Sequence, residues 1–145
     1  MSSRRLPVAI CTVLLLVGCT ATDQYHDDVD AVGKQIVADW KELPEVVGAE
    51  HEYRHGLDQG QVIYAIATVE EGSVQESVEQ LQEIARRDYW RGTSRNVSLT
   101  VSVYSDANPR VKSPTGPDNS VSRKRIELDD PAGLEKQYGP RPARR

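Results

Sequence analysis

The sequence predicts an α+β domain in which two helices cover one face of a three- or four-stranded sheet. Two segments, 27–43 and 73–92, carry apolar residues at helical spacing. Residues 62–69 are apolar on both faces, which is typical of a central strand. Residues 97–104 alternate between apolar and hydroxyl side chains, as a strand with one buried face does. The predicted order is therefore α-β-β-α-β, with an optional last strand.

The first helix is predicted to begin at Asp27 or Asp28, either of which can cap it, and to end before Pro44. Its apolar stripe consists of Val29, Val32, Ile36, Trp40 and Leu43. Residues 46–54 are rich in valine and tyrosine and are predicted to form a strand. The two glycines of residues 56–60 favour a hairpin loop between this strand and the central one.

The second helix has a capping-box pattern at its start, with Ser73 followed by Glu76. Its predicted buried stripe is Val74, Val78, Leu81, Ile84 and Ala85. Its predicted solvent side is Glu79, Gln82, Glu83 and Arg86. The aromatic and basic group 89–91 at its end is interpreted as a packing plug, with a sugar or peptide contact as the alternative.

The connections determine how these elements assemble. A crossover helix between the central and third strands should be right-handed and make them a parallel pair, so the sheet order is first, second, third. This layout resembles a ferredoxin-like fold that lacks its first strand. With both helices on one face, the other face exposes an apolar centre and needs a cover: the tail, a second copy or a foreign partner. The candidate binding face is Tyr64, Ile66, Thr100 and Tyr104.

The N-terminal segment has the pattern of a secretion signal. Arg4 and Arg5 precede an uncharged apolar run, 6–17, that is too short to span a bilayer. The end of this segment, Leu16-Val17-Gly18-Cys19, resembles the lipobox of bacterial lipoproteins. An uncleaved membrane anchor and an ordinary secretory signal are the alternatives.

The lipobox resemblance implies removal of residues 1–18, cleavage between Gly18 and Cys19, and a lipid on Cys19. Residues 19–26 are then a tether. Because Cys11 lies in the leader, no disulfide or thiol catalyst is expected in the mature chain. The chain is also similar to small lipoproteins of high-GC Gram-positive bacteria, a resemblance that implies a location but no activity. The expected location is the extracytoplasmic side of the cell membrane, held through the lipid.

Charge is divided unevenly along the chain, whose formal net charge is −4. Residues 19–106 carry seven basic and seventeen acidic residues, whereas 107–145 carry nine and five. Since no basic patch lies on the predicted domain, 27–106, no nucleic-acid partner is expected. The proline-rich tail, 107–145, is predicted to be mostly disordered apart from an optional edge strand at 121–128.

The basic runs of the tail, 122–125 and 141–145, have three interpretations. They could contact anionic phospholipid or wall polymer, fold back on the acidic body, or remain solvated.

Few residues suggest chemistry. His51 and His55 lie two apart from Tyr53 on one strand side, and with Asp58 or the cluster 26–28 they could bind zinc or copper. The alternative is a solvated strand face. The sequence contains no Gly-x-Ser-x-Gly nucleophile elbow, and we expect no enzymatic activity.

We expect no cofactor other than the covalent lipid on Cys19. The function expected from the sequence is a non-enzymatic, membrane-anchored domain that binds a protein or another envelope component through its open sheet face. The alternatives are a small-molecule or metal-binding lipoprotein and a structural lipoprotein that associates with itself.

Overall fold

The computed structural model describes residues 24–56, 60–112 and 116–143. The elements are α1 (Asp27–Lys41), β1 (Val46–Arg54), β2 (Val62–Val69), α2 (Val74–Gly92), β3 (Ser98–Ser105), β4 (Ser122–Ile126) and α3 (Pro131–Tyr138). The strands form one mixed sheet in the order β1-β2-β3-β4, in which β2 and β3 are parallel and the other pairs antiparallel. The predicted α+β sandwich and strand order are confirmed.

The hydrophobic core lies between the sheet and two antiparallel helices. The β2 side chains that face the helices are fully buried: Ile63, Ala65, Ala67 and Val69. Trp40 of α1 is also fully buried, and its indole Nε1 donates to the Leu81 carbonyl of α2 at 3.0 Å. Because an indole brings a large apolar area and one N–H donor, this contact both fills the core and fixes the two helices against each other.

The hairpin between β1 and β2 was predicted from its glycines and is present. Arg54 pairs with Val62 at its end, and the Gly60 amide donates to the Gly56 carbonyl at 2.9 Å. Gly60 has a φ of 65°, a conformation that favours glycine. Residues 57–59 of the predicted loop, including Asp58, lie outside the described residues.

The predicted side-chain caps of both helices are wrong. The N-cap of α1 is His26, and Asp28 instead accepts a hydrogen bond from the Thr93 hydroxyl at 2.6 Å. Ser73 has helical backbone angles and makes no side-chain cap, because a one-turn 3-10 helix, Glu71–Ser73, runs directly into α2. A capping side chain needs an extended backbone, which this continuous helical entry excludes.

The optional edge strand is present as β4. It also explains why Gln82, expected to face water, is only 8% exposed. β4 extends the sheet beneath α2, and the Gln82 amide donates to the Ser122 hydroxyl at 3.4 Å.

The region 129–145 was expected to be mostly disordered, but it contains α3. Pro131 stands in the first turn, where a helix does not need its N–H. Asp130 Oδ1 caps this turn by accepting from the Gly133 amide at 3.0 Å, and Leu134 is buried against the domain. The prolines of this region led to a prediction of disorder, but one of them, Pro131, begins a helix.

Gly33 provides a test of how α1 packs on β1. A Cβ atom at this position would clash with the imidazole of His51. We expect Gly33→Ala to lower the free energy of unfolding by about 1–3 kcal/mol, the usual cost of overpacking. Helix propensity alone predicts a gain of about 1 kcal/mol. Urea unfolding distinguishes the two.

The matched control for this change is the same substitution in a His51→Ala background. There the ring is gone and only the Cβ of residue 51 remains, 3.3 Å from the new Cβ, so Gly33→Ala should destabilise the protein much less than it does in wild type. Equal destabilisation in both backgrounds would show that the imidazole is not the obstacle.

Candidate functional site

The four residues of the predicted binding face lie together on the sheet face opposite the helices. In the parallel register, Tyr64 pairs with Thr100, Ile66 with Ser102, and Tyr104 with Thr68. Since side chains of a strand alternate between faces, these positions all point away from α1 and α2. The sequence therefore predicted correctly which residues share this face.

Charge changes sign across this face. Along one row, Glu50 of β1 lies next to Ile66, and Arg123 of β4 lies beyond β3. The neighbouring row has Glu52 and Arg125 in the same places. The face is therefore acidic at the β1 edge, apolar and hydroxyl-bearing in its centre, and basic at the β4 edge.

Part of the face is covered by the chain itself. We call residues 107–112 and 116–120 the strap. Arg110 Nη1 and Lys112 Nζ of the strap lie 2.8 and 3.3 Å from the Glu50 carboxylate. At its other end, Asp118 accepts from the Tyr104 hydroxyl at 3.2 Å and pairs with Arg123 at 3.1 Å. The sequence analysis named three possible covers for this face, and one of them, the tail, covers part of it.

The strap removes two predicted contact residues from solvent. Ile66 and Tyr104 are each only 5% exposed. Burial, followed by the neighbouring Asp118 carboxylate, raises the pKa of the Tyr104 hydroxyl. The Ser120 amide, together with Arg123 and Tyr104, lowers the pKa of Asp118 to about 2. Ile66 and Tyr104 therefore hold the strap in place and are not free contact residues.

The accessible part of the face surrounds Tyr64. Both Tyr64 and Thr100 are half-buried. The Arg54 guanidinium lies 5.1 Å from the centre of the Tyr64 ring and is paired with Glu52 at 2.7 Å. A small concavity of about 110 Å³ opens between this group, the strap and Arg123. An aromatic ring with charges of both signs around it suits non-covalent contact with another polypeptide.

The two histidines considered for a metal site lie in different environments. His51 packs beneath α1, where its Nε2 lies 3.0 Å from Asp30 Oδ1. The ring of His55 contacts those of Tyr25 and Tyr53, with centroids 5.6 and 5.2 Å away. His51 is therefore not on a solvated face. Within the described segments, no three His, Cys, Asp or Glu side chains gather closely enough to hold a metal ion.

The aromatic and basic group at the end of α2 packs against the chain, as the plug interpretation predicted. The Tyr89 hydroxyl donates to the Val97 carbonyl at 2.8 Å and accepts from its amide at 2.9 Å. Trp90 Nε1 donates to the Gly139 carbonyl at 2.8 Å. Arg91 Nε donates to the Tyr138 carbonyl at 3.0 Å. This group fastens the C-terminal region onto α2.

A buried carboxylate in α2 escaped the sequence analysis. Asp88 is 6% exposed, and its Oδ1 accepts from Arg87 Nε at 2.9 Å. Its other oxygen, Oδ2, is buried without a hydrogen-bond partner, and burial raises the pKa of this carboxyl. Its burial could have been predicted from helical spacing, because position 88 follows Leu81 and Ala85 on the buried stripe. The charge of an aspartate favoured a solvent position instead.

Comparison with known proteins adds no assignment: no family model, curated protein or solved structure matches the chain. The lipobox-like segment and Cys19 lie outside the described residues. Within the part of the chain that the structure describes, no helix is long and apolar enough to cross a membrane.

Asp88 and Asp118 should give the chain opposite pH responses. Burial raises the pKa of Asp88 in the folded state, so the stability that its protonated form contributes is complete below the unfolded value of about 3.9 and is lost as the pH rises through the higher folded value. We therefore expect the stability of Asp88→Asn to increase relative to wild type as the pH rises above about 4. Denaturant unfolding at a series of pH values measures this difference.

Asp118→Asn is the matched comparison. Its folded pKa of about 2 means that the carboxylate stabilises the fold above the unfolded value, and that this contribution is lost as pH falls. The variant should therefore be destabilised at neutral pH and approach wild type in acid. Parallel pH curves for the two variants would contradict both assignments.

Proposed function

We propose that the protein is a lipoprotein anchored to the extracytoplasmic side of the membrane. Its domain binds a protein partner through the part of the sheet face around Tyr64, and we propose no catalytic activity for it. The anchor is supported by the lipobox-like segment Leu16–Cys19 and the apolar run before it. Two or more acyl chains would give stable attachment to a bilayer.

The observation that carries the binding role is the half-buried Tyr64 with Arg54 over its ring, flanked by acidic β1 and basic β4. Tyrosine and arginine, with tryptophan, are the residue types enriched among the side chains that dominate binding at protein interfaces. The strap already covers the more apolar half of the face, so the part left over is polar and soluble in the absence of a partner. Such a surface suits a reversible contact.

The anchor is tested by mass spectrometry of the protein purified from membranes of the native host. The mature chain should begin at Cys19 and carry the mass of a diacylglycerol group. Cys19→Ala should abolish the modification and leave the precursor uncleaved. A native protein that begins at Met1, or that has an unmodified thiol at position 19, would contradict the anchor.

The binding face is tested by affinity isolation from detergent-solubilised envelopes. Tyr64→Ala should release a co-purifying protein, because truncation of a hot-spot tyrosine at the centre of an interface weakens binding by about 30-fold or more. Tyr25→Ala, which removes an exposed tyrosine at the opposite layer of the domain, is the matched control and should retain the partner. Equal recovery with both variants would contradict this face.

A chain that recovers only further copies of itself, with Tyr64-dependent association in ultracentrifugation, would instead support the structural, self-associating function expected as an alternative.

A further inference from the structure

A cleft lies between α1 and α2 in the helical layer of the domain, on the other side of the sheet from Tyr64. Its volume is about 530 Å³, within the range of about 300–1,000 Å³ that is usual for ligand pockets. Ala31 and Gln35 of α1 and Arg91 of α2 line it and are exposed, so the cleft opens to solvent. It is separate from the binding face proposed above.

The wall of this cleft contains a carboxylate that the fold does not fully satisfy. Asp88 lines the cleft, and its side chain is only 5% exposed. Nε and Nη2 of Arg87 both donate to Oδ1 of Asp88, at 2.9 and 2.8 Å. Oδ2 is buried and has no hydrogen-bond partner among the described residues. Since a buried carboxylate oxygen destabilises a protein unless a donor reaches it, this atom indicates where a donor group of a ligand would bind.

The charge of Asp88 is unfavourable for the fold itself. Burial raises the pKa of its carboxyl, and the guanidiniums of Arg87 and Arg91 offset this effect only in part. An asparagine has nearly the same shape and carries no charge, so it would fill the position at a lower cost in desolvation. Groups that are unfavourable for stability in this way are concentrated at functional sites.

The charges around the cleft are balanced. Two carboxylates, Asp39 and Asp88, and two guanidiniums, Arg87 and Arg91, line it. Arg87 is engaged with both carboxylates, since its Nη2 also pairs with Asp39. Arg91 uses its Nε to donate to the Tyr138 carbonyl at 3.0 Å, so its two terminal amino groups can bind an anion at the rim. A ligand that carries one charge of each sign preserves this balance.

The α1 side of the cleft is apolar near these charges. Ala31 and Val32 lie there, and a Cβ atom at Gly92 of α2 would clash with Val32. The glycine therefore lets the two helices approach closely and close one end of the cleft. The remaining space has a charged side on α2 and a small apolar side on α1.

We propose that this cleft binds a small zwitterion of the α-amino acid class. The ligand's ammonium group donates to Asp88 Oδ2, and its carboxylate accepts from the terminal amino groups of Arg91. Asp88 and Arg91 are three positions apart on α2 and are therefore neighbours on its surface, as the two charged groups of an α-amino acid are neighbours in the ligand. An apolar ligand side chain then packs on Ala31 and Val32.

Arg87 controls access to the buried oxygen. Its side chain is 32% exposed, so it lies closer to solvent than the carboxylate with which it pairs. The ligand reaches Oδ2 when Arg87 turns outward, a movement that breaks ion pairs near the surface, where such pairs contribute little to stability. The ligand's ammonium group then replaces the donors that Asp88 loses.

The ligand class is tested by titration calorimetry on the full chain in mild detergent. A panel of the common α-amino acids is screened, and the tightest binder is compared with its amide, which lacks the carboxylate, and its desamino acid, which lacks the ammonium group. For leucine these analogues are leucinamide and isocaproate. Each should bind at least about tenfold more weakly than the amino acid, because a hydrogen bond to a charged group has about this effect. An analogue that binds as tightly as the amino acid, or no binding by any amino acid up to about 10 mM, would overturn the proposal.

The two contacts are tested by Asp88→Asn and Arg91→Gln. Each should weaken binding of the amino acid by about tenfold or more at neutral pH. Asp88→Asn should leave the affinity for the desamino acid unchanged, and Arg91→Gln should leave that for the amide unchanged, because those analogues lack the group that each residue binds. The stability of Asp88→Asn is expected to increase relative to wild type with pH, so its loss of binding cannot come from unfolding.

Glu79→Gln and Arg125→Gln are the matched controls, since they remove the same charges outside the cleft, and both should bind like wild type. Equal weakening by the controls, or wild-type affinity in both cleft variants, would contradict the site.

Discussion

The structure depends on the burial of one sheet face under two antiparallel helices. Trp40 and Leu81 hold α1 and α2 together above the four buried side chains of β2. Two helices have only enough apolar surface for one side of a four-stranded sheet, so the opposite side has to be compatible with water or with another covering. The charged rows and the strap on that side are consequences of this constraint.

The strap shows how the chain meets the constraint with its own residues. Its ion pairs with Glu50 and Arg123 are on the surface, where each contributes little to stability. The apolar contribution comes from covering Ile66 and Tyr104. Because the strap stops short of Tyr64, the ring of this residue stays partly exposed on the described face, whereas Tyr104 is buried.

The directions of the elements bring the two ends of the described chain together. The start of α1, the end of α2 and the C-terminal segment lie side by side, since Thr93 donates to Asp28 and Arg141 donates to the Thr93 carbonyl. The connections at the other end of the domain, between α1 and β1 and between β2 and α2, carry several glutamates.

The sequence by itself determined the periodicity-driven features: both long helices, the central strand, the hairpin and the face that Tyr64 shares with Thr100. These follow from local alternation and spacing, which the chain expresses without reference to distant residues. Tertiary structure decided the rest. Gln82 was buried by β4, and Leu134 of α3 is buried where composition suggested disorder, because both outcomes depend on residues distant in the sequence. Ser73 lost its capping role to the helical turn that precedes α2, which the residue pattern did not predict. The meeting of the two ends of the described chain also depends on distant residues, since Arg141 contacts Thr93 and Trp90 at the end of α2, roughly 50 positions earlier.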